Sequence, residues 1–244
     1  MRIWGGGGTL LIHCALAHSG VLGAMAEAMP GGARAFDLPG HGKGPAWAGG
    51  DYQGQCVDLA VAAMDRPGPV FGHSFGGTVA LRLAVERPDL VTALTLVEPV
   101  FFAALRLHDR EAYAAHGLAF APVLAAHEAG DAHEMARRFT GMWGGAPWDP
   151  LPQRFRDTIA AQMPLIIAQG AGIDDDTGDV FAPGRLESLD IPVSLVRGSK
   201  TQPSVVAIHK VLRRLLPDVQ EHVIQGARHM SPITHPREVA ALTR

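Results

Sequence analysis

The chain has 244 residues, 47% hydrophobic and 18% charged, with a formal net charge of -3 and a pI near 6.4. That length and apolar content fit one large α/β domain or two small ones with a sizeable core, and exclude a disordered chain. The near-neutral charge gives no electrostatic footing for nucleic acid or an anionic membrane, so the expected partner is a small molecule.

The N-terminus, Met1-Arg2-Ile3-Trp4 and then four glycines, lacks the apolar region of a signal peptide. No apolar run reaches the roughly 18 residues of a membrane-spanning helix. The two cysteines, Cys14 and Cys56, have no short-spaced partner. They argue against a disulfide scaffold or a zinc site and fit a reducing compartment, so a cytoplasmic protein is expected.

In chain order, Thr9 to His13 reads as a short apolar strand and Cys14 to Gly20 as a loop. Val21 to Met29 reads as a helix ended by Pro30-Gly31-Gly32. Ala33 to Asp37 is a second strand, followed by the turn Leu38-Pro39-Gly40-His41-Gly42. Tyr52 to Met64 is a helix, and Val70-Phe71 ends a strand that leads into Gly72. Thr78 to Glu86 is a helix and Leu94 to Val97 a strand. From Phe101 to about Leu189 the pattern is helical and irregular. Helices are expected over Phe101 to Leu107, Glu111 to His127, Ala132 to Met142 and Gln153 to Gln169, with Gly144 to Pro150 as a loop. Ile191 to Val196 is a strand, Val205 to Leu216 a helix, Val219 to Ile224 a final strand and Pro236 to Thr243 a short helix. Strands alternating with helices predict a mostly parallel twisted sheet with helices on both faces. Residues 1–100 and 190–244 form the expected core. Residues 101–189, inserted after the strand ending at Glu98, form an expected helical cap above the strand ends, where parallel sheets bind ligands.

Gly72-His73-Ser74-Phe75-Gly76-Gly77 stands between a strand and a helix. Glycines two residues either side of Ser74 let strand and helix close around a strained turn, which lifts the Ser74 hydroxyl clear of the sheet at a helix N-terminus. This is the G-x-S-x-G pattern of a serine nucleophile. A serine hydroxyl needs a base, and the base needs an acid to hold its tautomer. Among twelve histidines, His229 lies just after the last strand and is the expected base. His235 reads as a surface or helix-entry residue, His222 lies inside the last strand, and His73 reads as a packing residue. One common place for the acid is the loop Arg197-Gly198-Ser199-Lys200-Thr201, where Thr201 stands instead of a carboxylate. The other is the end of the preceding strand, where Glu98 stands before Pro99, so Glu98 is the expected acid. Asp174-Asp175-Asp176 lacks the spacing of a calcium loop and reads as solvated, and no metal site is expected. The oxyanion donors are expected from the backbone N–H groups of Phe75 and Ala15. Trp143 and Trp148 are weaker candidates for the substrate pocket, or equally for cap core.

Together, Leu11-Ile12-His13-Cys14-Ala15, Asp37 to Gly42, Gly72 to Gly77 and Gly226-Ala227-Arg228-His229 resemble the α/β-hydrolase fold family over most of the chain. The resemblance implies a serine nucleophile, a two-step acyl-enzyme mechanism and no cofactor. It also implies that antiparallel strands at the N-terminal edge are missing or reduced here. Cys14 departs from the glycine usual at its position, and Thr201 from the usual acid. The expected activity is that of a serine hydrolase of carboxylesterase type. A non-catalytic ligand-binding protein on the same fold, and lactonase, thioesterase, carbon–carbon hydrolase or lyase chemistry through the same triad, remain alternatives.

Overall fold

The computed structural model describes residues 1–144 and 147–243; Gly145 and Ala146, within the predicted loop Gly144 to Pro150, lie outside them. Seven strands form one sheet: β1 (Arg2–Trp4), β2 (Thr9–Ile12), β3 (Ala33–Ala35), β4 (Gly68–His73), β5 (Val91–Val97), β6 (Val193–Gly198) and β7 (Val219–Ile224). Their spatial order is β1-β3-β2-β4-β5-β6-β7. Among the described residues only β1 runs antiparallel, pairing Arg2 with Ala35 and Trp4 with Ala33. It is a strand that the glycine-rich sequence did not announce.

Alternation along the strands builds two cores, because successive side chains leave opposite faces of a sheet. Leu10, Ile12, Leu94, Leu96, Val193 and Leu195 face one core. Leu11, Phe71, Val97 and Val196 face the other. The first core packs against α2 (Tyr52–Ala62), α3 (Phe75–Glu86) and the later helix α9 (Pro203–Leu215). The second is covered by α1 (Gly23–Ala28) and α11 (Pro236–Ala240), through Met25, Ala26, Val239 and Ala240.

Between β5 and β6 the described residues form helices and no strand: α4 (Ala103–His108), α5 (Arg110–Glu128), α6 (Ala132–Met142), α7 (Gln153–Ala161) and α8 (Met163–Ile173). Asp109 and Asp131 cap α5 and α6 by accepting from the N–H groups of Ala112 and Glu134. Val123, Met135, Ala136 and Met163 give these helices a small core of their own. α4 instead joins the sheet core through Ala103, Ala104 and Leu105. The single helix expected over Gln153 to Gln169 is two. Pro164 has no N–H to donate and its ring clashes with the preceding turn, so the chain breaks at Gln162 and restarts as α8. A short helix after His229, α10 (Ser231–Thr234), was also not anticipated.

Candidate active site

Parallel strands deliver their C-terminal ends to one edge of the sheet, and the expected residues converge there. Ser74 follows β4, Glu98 follows β5 and His229 lies in the loop after β7. Ser74 has φ 56° and ψ -119°, the strained backbone predicted for the turn. Its N–H donates to the Val97 carbonyl at 2.9 Å, which ties the turn to the neighbouring strand. A Cβ on Gly76 would run into the carbonyl oxygens of Ile12 and His13. The turn therefore closes only with glycine at that position. His229 Nε2 lies 2.9 Å from Ser74 Oγ, and His229 Nδ1 lies 3.2 Å from Glu98 Oε2. All three side chains are buried.

Glu98 is fully buried and receives more than the histidine. The Gly198 N–H donates to Oε1 at 2.6 Å, and the Thr201 hydroxyl donates to Oε2. Burial pushes this carboxyl upward, but the His229, Thr201 and Gly198 hydrogen bonds outweigh it and hold Glu98 below its ordinary value. Thr201, which stands where a carboxylate was sought, thus hydrogen-bonds the carboxylate at the end of the adjacent strand. His73 does more than pack: its Nε2–H donates to the His229 backbone carbonyl at 2.8 Å. Burial pushes the His73 imidazole down to about 3, so it stays neutral beside His229. Nothing local in the sequence signals that contact, which spans the chain from β4 to the last loop.

The loop after β2 is held by two further histidines. His41 donates from Nδ1 to the Pro39 carbonyl at 2.9 Å and accepts the Leu16 N–H on Nε2 at 3.0 Å. His13 donates to the Cys14 carbonyl at 2.7 Å and accepts the Leu38 N–H at 3.0 Å. Burial pushes His13 down to about 4, consistent with that neutral arrangement. The turn Leu38 to Gly42 therefore braces the segment that carries Ala15. Burial pushes the Cys14 thiol up to about 12, which leaves it protonated and a poor nucleophile.

Ser74, Phe75, Ala15 and His229 line a cavity of about 550 Å³. The wall is mostly apolar, as expected of a small-molecule site. Trp143 lines it too, with its ring centroid 4.7 Å from that of His229. Trp148 does not line this cavity; it packs against the α5–α8 core, edge-on to His133. The aspartate triplet is not uniformly solvated. Asp175 is exposed, whereas Asp176 is buried and accepts the N–H groups of Val180 and Phe181 at 2.9 and 2.8 Å. Asp174 lines the cavity, because the C-terminus of α8 brings it there. Among the described residues, no group of three or more His, Cys, Asp or Glu side chains is placed to hold a metal ion.

A family model for the alpha/beta hydrolase fold matches residues 10–236. The chain belongs to the α/β-hydrolase fold family. A lipase, LipV of Mycobacterium tuberculosis, is 29% identical, with 96% of this chain and 91% of that protein aligned. A pimeloyl-[acyl-carrier protein] methyl ester esterase of Neisseria meningitidis is 32% identical over 86% of this chain and 80% of its own length. Among solved α/β hydrolases, an esterase from Exiguobacterium antarcticum superposes with a TM-score of 0.74 at 16% identity, over 98% of this chain and 91% of that one.

Proposed function

We propose that this α/β hydrolase is a serine carboxylesterase acting on small, largely apolar esters through an acyl-enzyme. The observation that carries the reading is the unbroken line from Ser74 Oγ to His229 Nε2 at 2.9 Å and from His229 Nδ1 to Glu98, at the wall of a closed-in apolar cavity. Ser74 attacks the ester carbonyl while His229 takes its proton. Glu98 orients the imidazole and balances the imidazolium that forms. The N–H groups of Phe75 and Ala15 receive the oxyanion; that of Phe75 lies at the N-terminus of α3, where the helix dipole adds to it. His229 then protonates the departing alcohol, activates a water molecule, and the acid product leaves. The esterase and lipase names of the relatives support the same reaction class.

Residues 101–189 serve in this reading as the cap that shapes the acyl pocket, with Trp143 against the catalytic histidine. Trp148 acts as cap core. Among the described residues, no helix is long and apolar enough to cross a membrane. Both cysteines are free and buried, which fits a reducing cytoplasm as the place of action.

The test is hydrolysis of a series of p-nitrophenyl esters. The wild type should turn over, and Ser74→Ala should lose about four or more orders of magnitude in kcat, as triad serines do. Activity retained in Ser74→Ala would remove the assignment.

A further inference from the structure

The cavity is polar at one end only. On α5, Tyr113, His116, Phe120 and Leu124 share the cavity-facing side of the helix, polar near its start and apolar further on. On α8 the order is reversed: Ile166 and Ile167 come first, and Gln169 and Asp174 follow toward the C-terminus. The Tyr113 hydroxyl reaches Asp174 Oδ1 at 3.4 Å, so the two polar halves meet. Trp143 stands between this end and the catalytic histidine, its ring 6.4 Å from His116 and 4.7 Å from His229.

This end holds groups that the protein does not satisfy. Gln169 is 3% exposed, and its Nε2 has no hydrogen-bond partner among the described residues. His116 Nδ1 is likewise buried without one, its ring stacked on Phe102 at 3.7 Å. A buried amide N–H with no acceptor is rare in folded proteins unless a ligand or water supplies one. Asp174 adds an acceptor. Burial pushes its carboxyl up to about 6 and pushes His116 down to about 4, so at mildly alkaline pH the end presents a carboxylate and a neutral imidazole. Among the described residues, no lysine or arginine lines the cavity. Arg106 stands behind this end, near enough to act on Asp174 and Tyr113, but outside the cavity wall, where it donates to the Asp175 carbonyl at 3.1 Å.

Resting on the esterase reading, we propose that Gln169, Asp174, Tyr113 and His116 form a recognition subsite for an uncharged group that both donates and accepts hydrogen bonds. A hydroxyl or a carboxamide on the substrate, remote from the scissile ester, meets that description. The Gln169 amide, turned so that its N–H group faces the cavity, gains an acceptor, and Asp174 gains a donor. A terminal methyl leaves both unmet, and a terminal carboxylate faces the Asp174 carboxylate with no cation lining the cavity between them. The subsite discriminates among esters that the catalytic residues alone would treat alike.

The test uses methyl butanoates, hexanoates and octanoates, each ending in methyl, hydroxyl, carboxamide or carboxylate, assayed at about pH 8, where an ordinary carboxylate is fully ionised. At the chain length that spans the cavity, the hydroxyl or carboxamide member should exceed the methyl member in kcat/KM by about tenfold or more, and the carboxylate member should be poorest. Gln169→Leu should bring the hydroxyl-to-methyl ratio toward one. Asp174→Asn should raise the carboxylate member relative to the rest, and thermal melting checks that both variants fold. A methyl preference at every length, or ratios unchanged in both variants, overturns the subsite. If no ester is hydrolysed, the esterase reading fails separately. Calorimetric binding of the matching ω-hydroxy and unsubstituted methyl ketones then decides. Tighter binding of the hydroxy ketone, lost in Gln169→Leu, supports the subsite, and equal binding overturns it.

Discussion

Thr201 carries no charge, yet its hydroxyl donates to the same Glu98 oxygen that faces His229 Nδ1. The hydroxyl helps fix the carboxylate that faces the imidazole, so through lost orientation Thr201→Val should lower kcat by roughly tenfold, and Thr201→Ser should retain most of it. Without that donor the carboxylate attracts the imidazolium more strongly. The acid limb of the pH–rate profile should therefore move to higher pH in Thr201→Val; an unmoved profile with an unchanged rate would deny Thr201 this role. Glu98 is held below its ordinary range, so it stays ionised as pH falls through the usual carboxylate range. Glu98→Gln should cost about three to four orders of magnitude in kcat, while Asp175→Asn on the exposed loop should not. That Ser74, His229 and Glu98 come together was legible because each sits next to local punctuation: glycines, a strand end, a proline. The tie from Thr201 to Glu98 was not, because it spans 103 residues and joins two strand ends. The support from His73 escaped for the same reason.

At the level of elements, the elbow depends on close backbone approach, and that was readable from its glycines. Gly76→Ala would drive a Cβ into the end of β2, so the variant should lose several kcal/mol or fail to accumulate as soluble protein, as chemical denaturation would measure. Further along the sheet, Glu221 on β7 binds Arg197 of β6 at 2.8 Å and His209 and Arg213 of α9 at 3.0 and 3.1 Å. The His209 hydrogen bond and then Arg197 outweigh partial burial and hold Glu221 at about 2, below its ordinary value of 4.5. A depressed carboxylate contributes stability above its unfolded value and loses it as pH falls toward the folded one. Glu221→Gln should therefore lower Tm near neutrality, with the gap to wild type closing between about pH 4.5 and 2. A gap that widens on acidification would contradict the pairing. Parallel strands and their flanking helices were legible from short apolar runs alternating with helical stretches. The break between α7 and α8 was missed because apolar periodicity continues through Pro164 while the backbone cannot.

Across the whole molecule, the sheet gathers loops from β2, β4, β5, β6 and β7 at one edge, and the helices after β5 close a cavity over them. The family was readable from four short motifs separated by most of the chain, because each serves the same site. The cavity's polar end was not readable. Asp174 stood among two other aspartates in what looked like a solvated loop, and only the tertiary fold brings the C-terminus of α8 to Tyr113 on α5. Composition identifies apolar helices but not which faces enclose empty space. The proposed reaction requires that Ser74 be an activated nucleophile. It is tested most directly by treating the folded protein with a fluorophosphonate and measuring intact mass. The expected outcome is one adduct on the wild type, none on Ser74→Ala, and sharply slowed labelling of His229→Ala. No adduct on folded wild type, or an equal adduct on Ser74→Ala, would contradict it.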